Sequence, residues 1–489
     1  MSSRKWLDKR RLCILLFFFT AAALFAAVLF VEPVVGVSDQ NDFARVMYGV
    51  ANPDQEHFYE TQFTQIILPT YNYKPFPLSA LIPGKAESQV WFVLAARMLS
   101  KLLGYGMFQM WIYASLLGLC YIASLTLLYA ALFPKQAAHG AALGVLLLFF
   151  FLDGRWVMWF NSLYGEPVVF TGLILTLAAF FKARGEHKVI WAVLFGAGCF
   201  IMACAKLQAI ALLLPAGMLA AYLLWRYLRE KKYAGAAALA ACLAVVVFSC
   251  LGVYGKVNGN YSRETNYQSL MTGVLVDADN PLAVLADFGL DPALAGDIGK
   301  NAYLQAEEYE FGQPSSTRVR TEFAGKVDNQ SLTRYHLTHP RALLKGLVWS
   351  AEHALISSTQ KDYTSGKALG IHPAGTPVTR DHHRFTLWSS LRQSLPHSFP
   401  FLVIVLFLAL AAGGWMLKKR MTAHAIALFA AAAGGVLQFV MPYMFNGRCD
   451  TAKQLLVFTF LFDLIIFALV LFAARAAKTI PRRARQPKK

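Results

Sequence analysis

The stretch Gln89-Val90-Trp91-Phe92-Val93-Leu94-Ala95-Ala96-Arg97-Met98-Leu99-Ser100-Lys101-Leu102-Leu103-Gly104 decides how this chain is laid out. It is apolar enough to be taken for a membrane span, yet it falls short of the ~20 residues a span needs. It also carries Arg97 and Lys101. Val90, Trp91, Val93, Leu94, Met98 and Leu102 recur at helical spacing, which describes an amphipathic helix lying on the membrane surface. Counting it as a span would invert every segment after it.

The rest of the chain supports a membrane setting. Of 489 residues, 57% are hydrophobic and 15% charged, and the mean hydropathy is +0.45. A soluble domain carries about 25% charged residues. The formal net charge of +18 does not form one basic face. It is spread over the N-terminus, short connectors and a basic tail, as the positive-inside rule and anionic head groups require, and this argues against nucleic acid as a partner. The seven cysteines contain no CxxC pair, and six lie in apolar segments, so neither a disulfide framework nor a zinc site is expected. His336, His339, His353, His372, His382, His383 and His397 are scattered through the insertion, the pair His382-His383 has no helix-spaced partner, and no metal site is assigned.

Apolar runs near 20 residues place spans at about 12–35, 106–133, 137–152, 167–182, 188–205, 207–226, 233–254, 399–417, 422–444 and 454–475. The first reads as an uncleaved span rather than a signal peptide. With the N-terminus inside, Lys135, Lys182/Arg184/Lys188, Arg226/Arg229/Lys231/Lys232, Lys418/Lys419/Arg420 and the tail from Arg475 all fall on the same side. The expected fold is therefore an all-α polytopic membrane protein with about ten transmembrane helices. The expected division is an N-terminal transmembrane module 1–254, a mainly helical outer insertion 255–398, and a C-terminal module 399–489. Within the insertion, Pro292–Tyr303 and Pro340–Ser357 read as helices.

This topology puts two acidic motifs outside. One is Gly36-Val37-Ser38-Asp39-Gln40-Asn41-Asp42-Phe43-Ala44-Arg45, and the other is Phe160-Asn161-Ser162-Leu163-Tyr164-Gly165-Glu166-Pro167. Carboxylates beside a membrane are costly to desolvate and mark a wet cavity or a site. Each has a plainer reading: Ser38 or Asp42 as an N-cap, and Glu166 before Pro167 as a first-turn acid. Together, on one side, they are better read as one site. Lys206 and Gln208 occupy a short outer turn, and Asn446, Arg448, Asp450 and Lys453 the last outer loop. These cations suit a phosphate or pyrophosphate, with head-group anchoring or pairing to Asp450 as the competing reading. Asp463 lies mid-span and requires a partner.

An acidic motif after the first span, a surface helix, a second acid in the next outer loop and a late outer domain resemble the GT-C superfamily of polytopic glycosyltransferases. Asn41-Asp42-Phe43-Ala44-Arg45 is similar to that superfamily's acidic-x-x-Arg motif. Gly36–Arg45, Asn161–Glu166, Thr272–Gly289 and His339–Ala354 look like the bacterial WsfD-like hexose transferases of surface-glycan assembly. Asp39 and Asp42 are separated by two residues, where many GT-C enzymes carry an adjacent acidic pair.

The resemblance implies inverting transfer of a hexose from a polyprenyl-phosphate donor to a glycan, lipid or protein acceptor at the outer face of a bacterial cytoplasmic membrane. Asp42 first and Asp39 second would serve as general base, with Glu166 orienting the acceptor or sharing that role. Arg45, Lys206, Gln208, Arg448 and Lys453 would hold the donor phosphate. No cofactor is expected, and a divalent cation has no ligand set to support it. The competing functions are a glycan ligase or polymerase, a transporter or flippase of lipid-linked glycans, and a membrane scaffold. A transporter would place its acids inside spans, whereas most acids here lie outside them.

Overall fold

The computed structural model describes residues 2–31, 34–37, 42–51, 68–134, 136–357 and 384–479, with the backbone alone at 2–6, 256–262 and 478–479. Asp39, Lys135, His372, His382, His383 and the tail from residue 480 lie outside the described residues.

The protein is all-α and polytopic. Among the described residues, eight helices are long and apolar enough to cross a bilayer: Leu7–Leu29, Met110–Leu132, Glu166–Glu186, Leu207–Arg229, Tyr233–Gly255, Phe399–Lys418, Thr422–Asn446 and Leu456–Ala477. Ala137–Phe151 and Gly154–Phe160 form a ninth, bent by 53°. The tenth expected span, Val189–Ala203, has 15 residues, which is ~22 Å of helix. It nevertheless runs back along Glu166–Glu186, because the turn that follows it brings Lys206 to Glu166 at the start of that helix.

Glycine permits this close pairing. A Cβ at Gly172 would lie 2.4 Å from Met202 N, and one at Gly198 would lie 2.7 Å from Thr176 N. Gly172→Val is therefore expected to push the two helices apart at a cost of about 1–3 kcal/mol, the usual penalty of overpacking. The check is the melting temperature of the detergent-solubilised protein, and an unchanged value would mean that the helices do not touch there.

The opening stretch folds as the helix Gln89–Leu102. Strands before and after it settle that it does not cross. Thr70–Tyr73 pairs antiparallel with Phe108–Gln109, in the register Thr70↔Gln109 and Tyr71↔Phe108, and with Val50–Ala51 on its other side. A spanning helix would put those strands on opposite faces of the bilayer, too far apart to hydrogen-bond. Val90, Val93, Ala96 and Ser100 face the protein, while Trp91, Met98 and Leu102 are exposed. That is the apolar outer face of a helix lying in an interface. Gln89 anchors it by donating to Tyr113 Oη and to Leu163 O at 2.8 and 2.9 Å.

The second outer loop differs from expectation. The spans at 137–152 and 167–182 leave residues 153–166 as a tight outer loop, yet all of them except the half-buried Arg155 are buried. The cause is Asp153. Its carboxylate accepts from Arg155 N at 3.0 Å and from Ser389 N at 2.8 Å, so it caps the second half of the bent span and receives the short helix Leu387–Gln393. The chain from Gly154 to Phe160 then climbs within the bundle towards Tyr164.

Tyr233–Gln268 continues without a break across residue 254 and widens into a π-turn at Ser269–Val274. Beyond it, Leu270, Val274, Leu285, Leu294 and Leu332 form a core of their own. Pro340–Glu352 is a helix as expected. The helix expected at Pro292–Tyr303 is only the 3-10 turn Pro292–Asp297. Asp297 turns inward to accept the backbone N–H groups of Glu310 and Phe311, at 2.7 and 3.0 Å, and Gly299 adopts φ +84.

Candidate functional site

The two acidic motifs meet. Asn161 Nδ2 donates to Val35 O at 2.9 Å, tying the second motif to the segment that leaves the first span. The Phe43 ring stands edge-on to Tyr164 at 5.0 Å. Asp42 precedes the 3-10 turn Phe43–Arg45 but makes no capping hydrogen bond, so the N-cap reading fails for it. Its carboxylate instead pairs with Lys453 through Oδ2 and with Arg45 through Oδ1, the latter at 3.0 Å. The chain folds this way because Lys453 has nowhere wet to go. Its side chain is 5% exposed, and its ammonium lies 4.7 Å from the centroid of the Tyr164 ring.

Glu166, fully buried at the first position of its helix, pairs with Lys206 at 2.6 Å. Gly165 lets the two segments approach, since a Cβ there would lie 3.0 Å from Ala205 O. Glu166 Oε2 is buried with no hydrogen-bond partner. The site thus consists of two carboxylates, each faced by a lysine. They are electrostatically one unit. Burial alone would raise the pKa of Asp42, but Lys453, Arg45 and Lys206 outweigh it and hold the carboxyl well below the usual carboxylate range.

The other expected residues stand as follows. Gln208 donates to Gln454 O at 2.8 Å, next to Lys453, and its backbone carbonyl accepts from Gln438 at 3.0 Å. It braces the site. Arg448 pairs with Asp277, and not with Asp450 as the competing reading had it. Its guanidinium lies 4.6 Å from the Trp349 ring centroid. Asp39 lies outside the described residues. Asp463 finds its partner in Arg392, with Trp156 Nε1 donating to the same oxygen at 2.9 Å. Asp277 was missed, although it lies in the Thr272–Gly289 stretch that carries the resemblance. Tyr164 was missed too, inside a quoted motif. Nothing in one sequence reveals a pairing between positions 277 and 448.

Beneath the lysines lies an apolar crevice between helices, lined by Leu173, Met202, Leu212, Leu219, Gly434 and Leu461 among others. Leu173 is two turns along the helix that begins at Glu166, and Leu461 is in the second turn of the helix Leu456–Thr479, which follows the short helix Thr451–Gln454 that carries Lys453. Among the described residues, no three His, Cys, Asp or Glu side chains converge as metal ligands would. Cys204 and Cys250 are free thiols with their sulfurs 3.4 Å apart.

The opposite end of the bundle is basic. His187 meets Glu230 at 2.7 Å, and Lys182 and Lys188 flank Glu186 at 3.3 and 3.2 Å. The helix Glu166–Glu186 separates that end from the site by ~31 Å.

No curated protein and no solved structure matches this chain. The family model described as the YfdI N-terminal transmembrane domain matches residues 1–489, and the chain, a multi-pass membrane protein, belongs to that family.

Proposed function

We propose that this protein is a GT-C-type, WsfD-like membrane glycosyltransferase that moves a hexose from a polyprenyl-phosphate donor to a cell-surface glycan, lipid or protein acceptor at the outer face of a bacterial cytoplasmic membrane. The observation that carries the reading is the paired arrangement of Asp42 with Lys453 and Glu166 with Lys206, with an apolar crevice opening two turns along the helix that Glu166 begins. Carboxylates supply a base for the acceptor hydroxyl, lysines neutralise a leaving phosphate, and the crevice suits a hydrocarbon tail. A glycan-related role also fits the family.

In the resting site Asp42 is a weak base, because its cations stabilise the ionised form. The donor phosphate competes for Lys453 and Lys206. As they turn to it, the Asp42 pKa rises towards the ordinary value of about 3.9 and its basicity with it. Asp42 then takes the acceptor proton as the hydroxyl oxygen attacks the anomeric carbon and the polyprenyl phosphate departs with the bonding electrons. Glu166 Oε2, without a protein partner, accepts a hydrogen bond from the acceptor and orients it.

The test is the purified protein with a panel of polyprenyl-phosphate hexoses, measuring transfer or release of the sugar against pH. Transfer from at least one is expected, and inactivity towards all of them, with lipid-linked glycan moved across vesicles instead, would replace this reading with a flippase. kcat/KM reports the free enzyme. A depressed folded-state pKa means that Asp42 is ionised above the ordinary carboxylate range and loses its charge only as pH falls below it. kcat/KM is therefore expected to show no acid limb from Asp42 between about pH 5 and 8.

A further inference from the structure

We propose that Asp277 is a positioning residue that, together with Trp349, presets the Arg448 guanidinium as a receptor for a phosphate oxyanion beside the Lys453 site. The inference rests on the glycosyltransferase reading for its biology, but its geometry stands alone.

The device begins in the backbone. A π-turn adds a residue to a helical turn and widens it, and such turns concentrate at functional sites. Here Ser269–Val274 receives the end of the helix Thr422–Asn446. Gly447, at φ +59, closes that helix, and a Cβ on it would lie 2.4 Å from Thr272 Oγ1 and 2.6 Å from Gln268 O. Arg448 N then donates to Thr272 Oγ1 at 3.0 Å. The loop that carries Arg448 and leads to Lys453 is pinned to the π-turn.

The side chain is fixed as firmly. Asp277 is 4% exposed and splits its oxygens: Oδ2 accepts from Tyr443 Oη, and Oδ1 accepts from Arg448 Nη2. A purely structural Arg–carboxylate pair favours the two-donor fork, which uses both oxygens. Here only one guanidinium nitrogen is engaged. Arg448 Cζ lies over the Trp349 ring, and Trp349 donates through Nε1 to Thr451 Oγ1 at 3.4 Å, two residues from Lys453. Arg448 Nε is buried with no partner, while the side chain as a whole is 25% exposed. A planar cation with five donors, held at one nitrogen by Asp277 and placed over the Trp349 ring, keeps donors for a phosphate.

The experiment measures binding of a long-chain polyprenyl phosphate to the full-length protein in lipid nanodiscs, with the corresponding polyprenol and inorganic pyrophosphate as parallel probes. Asp277→Asn and Arg448→Gln are each expected to weaken polyprenyl phosphate about 10- to 100-fold, the worth of a hydrogen bond to a charged group. Polyprenol binding should stay unchanged. Arg448→Lys should restore binding only in part, because a point charge cannot be oriented as the planar fork is. Competition by pyrophosphate identifies a site for the phosphate group itself, and its failure identifies a lipid-borne phosphate; both support the receptor. Unchanged phosphate binding in variants that melt as the wild type does would overturn it, as would an equal loss of polyprenol. Because binding needs no turnover, the result is separable from the function. Sugar transfer that never appears, with the binding loss intact, would sink the function and leave this site standing.

Discussion

Asp42→Asn is expected to lower sugar transfer about 10²–10⁴-fold, the usual contribution of a positioned general base, while binding of polyprenyl phosphate holds or tightens. The two halves of that result come from the same contact. In the resting protein Asp42 Oδ2 occupies Lys453, and Oδ1 occupies Arg45. Any phosphate must displace the carboxylate before it can use these cations. Asparagine keeps the shape of the side chain and gives up the charge, so the Asp42–Lys453 ion pair no longer competes with the donor phosphate. A loss in kcat with KM steady is the signature of an interaction made only in the transition state, and a lower KM reports relief of the ground-state competition for Lys453. Lys453→Met should do the opposite and raise KM. It should also cost some stability, since it removes the partner of a half-buried carboxylate. Steady-state transfer by the two purified variants checks both statements. A stable Asp42→Asn protein that transfers at the normal rate would remove Asp42 as base and leave Asp39 and Glu166 to be tried in turn.

Much of this arrangement was legible because membranes enforce strong, local patterns. The spans could be read from apolar runs, and the surface helix Gln89–Leu102 from apolar residues at helical spacing interrupted by Arg97 and Lys101. The acids and lysines of the site could be assembled from topology, since every helix end on one face of a bundle is near the others. What escaped depends on pairing across long sequence separations. The bend at Asp153 needs Ser389, the turn at Gly447 needs Thr272, and Arg448 needs Asp277. None of these partners has a local signature. Asp277 even sits in an ordinary Leu275–Asp277 helical turn, where an acid reads as a solvated residue until the fold buries it against Tyr443. The short Val189–Ala203 helix shows the converse limit, since its length falls short of a span while Lys206 still reaches Glu166.

Arg392→Leu is expected to be the most destabilising single change in the bundle, and Asp463→Leu introduced beside it to recover much of the loss. Asp463 and Arg392 are both fully buried, and their pairing joins the last membrane helix to the short helix Leu387–Gln393. Arg392 also stacks 4.7 Å from the Trp156 ring centroid and donates through Nε to Leu355 O at 3.0 Å. Removing the cation alone leaves a carboxylate in a dry interior, which costs about 3–5 kcal/mol. The pair is also imperfect, because Asp463 Oδ1 and Arg392 Nη2 are buried without partners. Replacing both by leucine removes those orphaned groups along with the charges, and such exchanges are often neutral or stabilising. Melting in detergent and steady-state level in the membrane give the measurement. If the double variant is as unstable as Arg392→Leu, the charge pair is not the source of the stability. If it is stable but inactive, the pair serves the chemistry. The route for such an effect is short: Trp156 lies on the rising half of the bent span, and Trp159, one turn on, stands edge-on to Tyr164 at 5.3 Å, which in turn supports Lys453. A stable and active double variant would assign Arg392 and Asp463 to holding residues 384–393 against the bundle, and would leave the charges at Asp42, Glu166, Lys206 and Lys453 to carry the reaction.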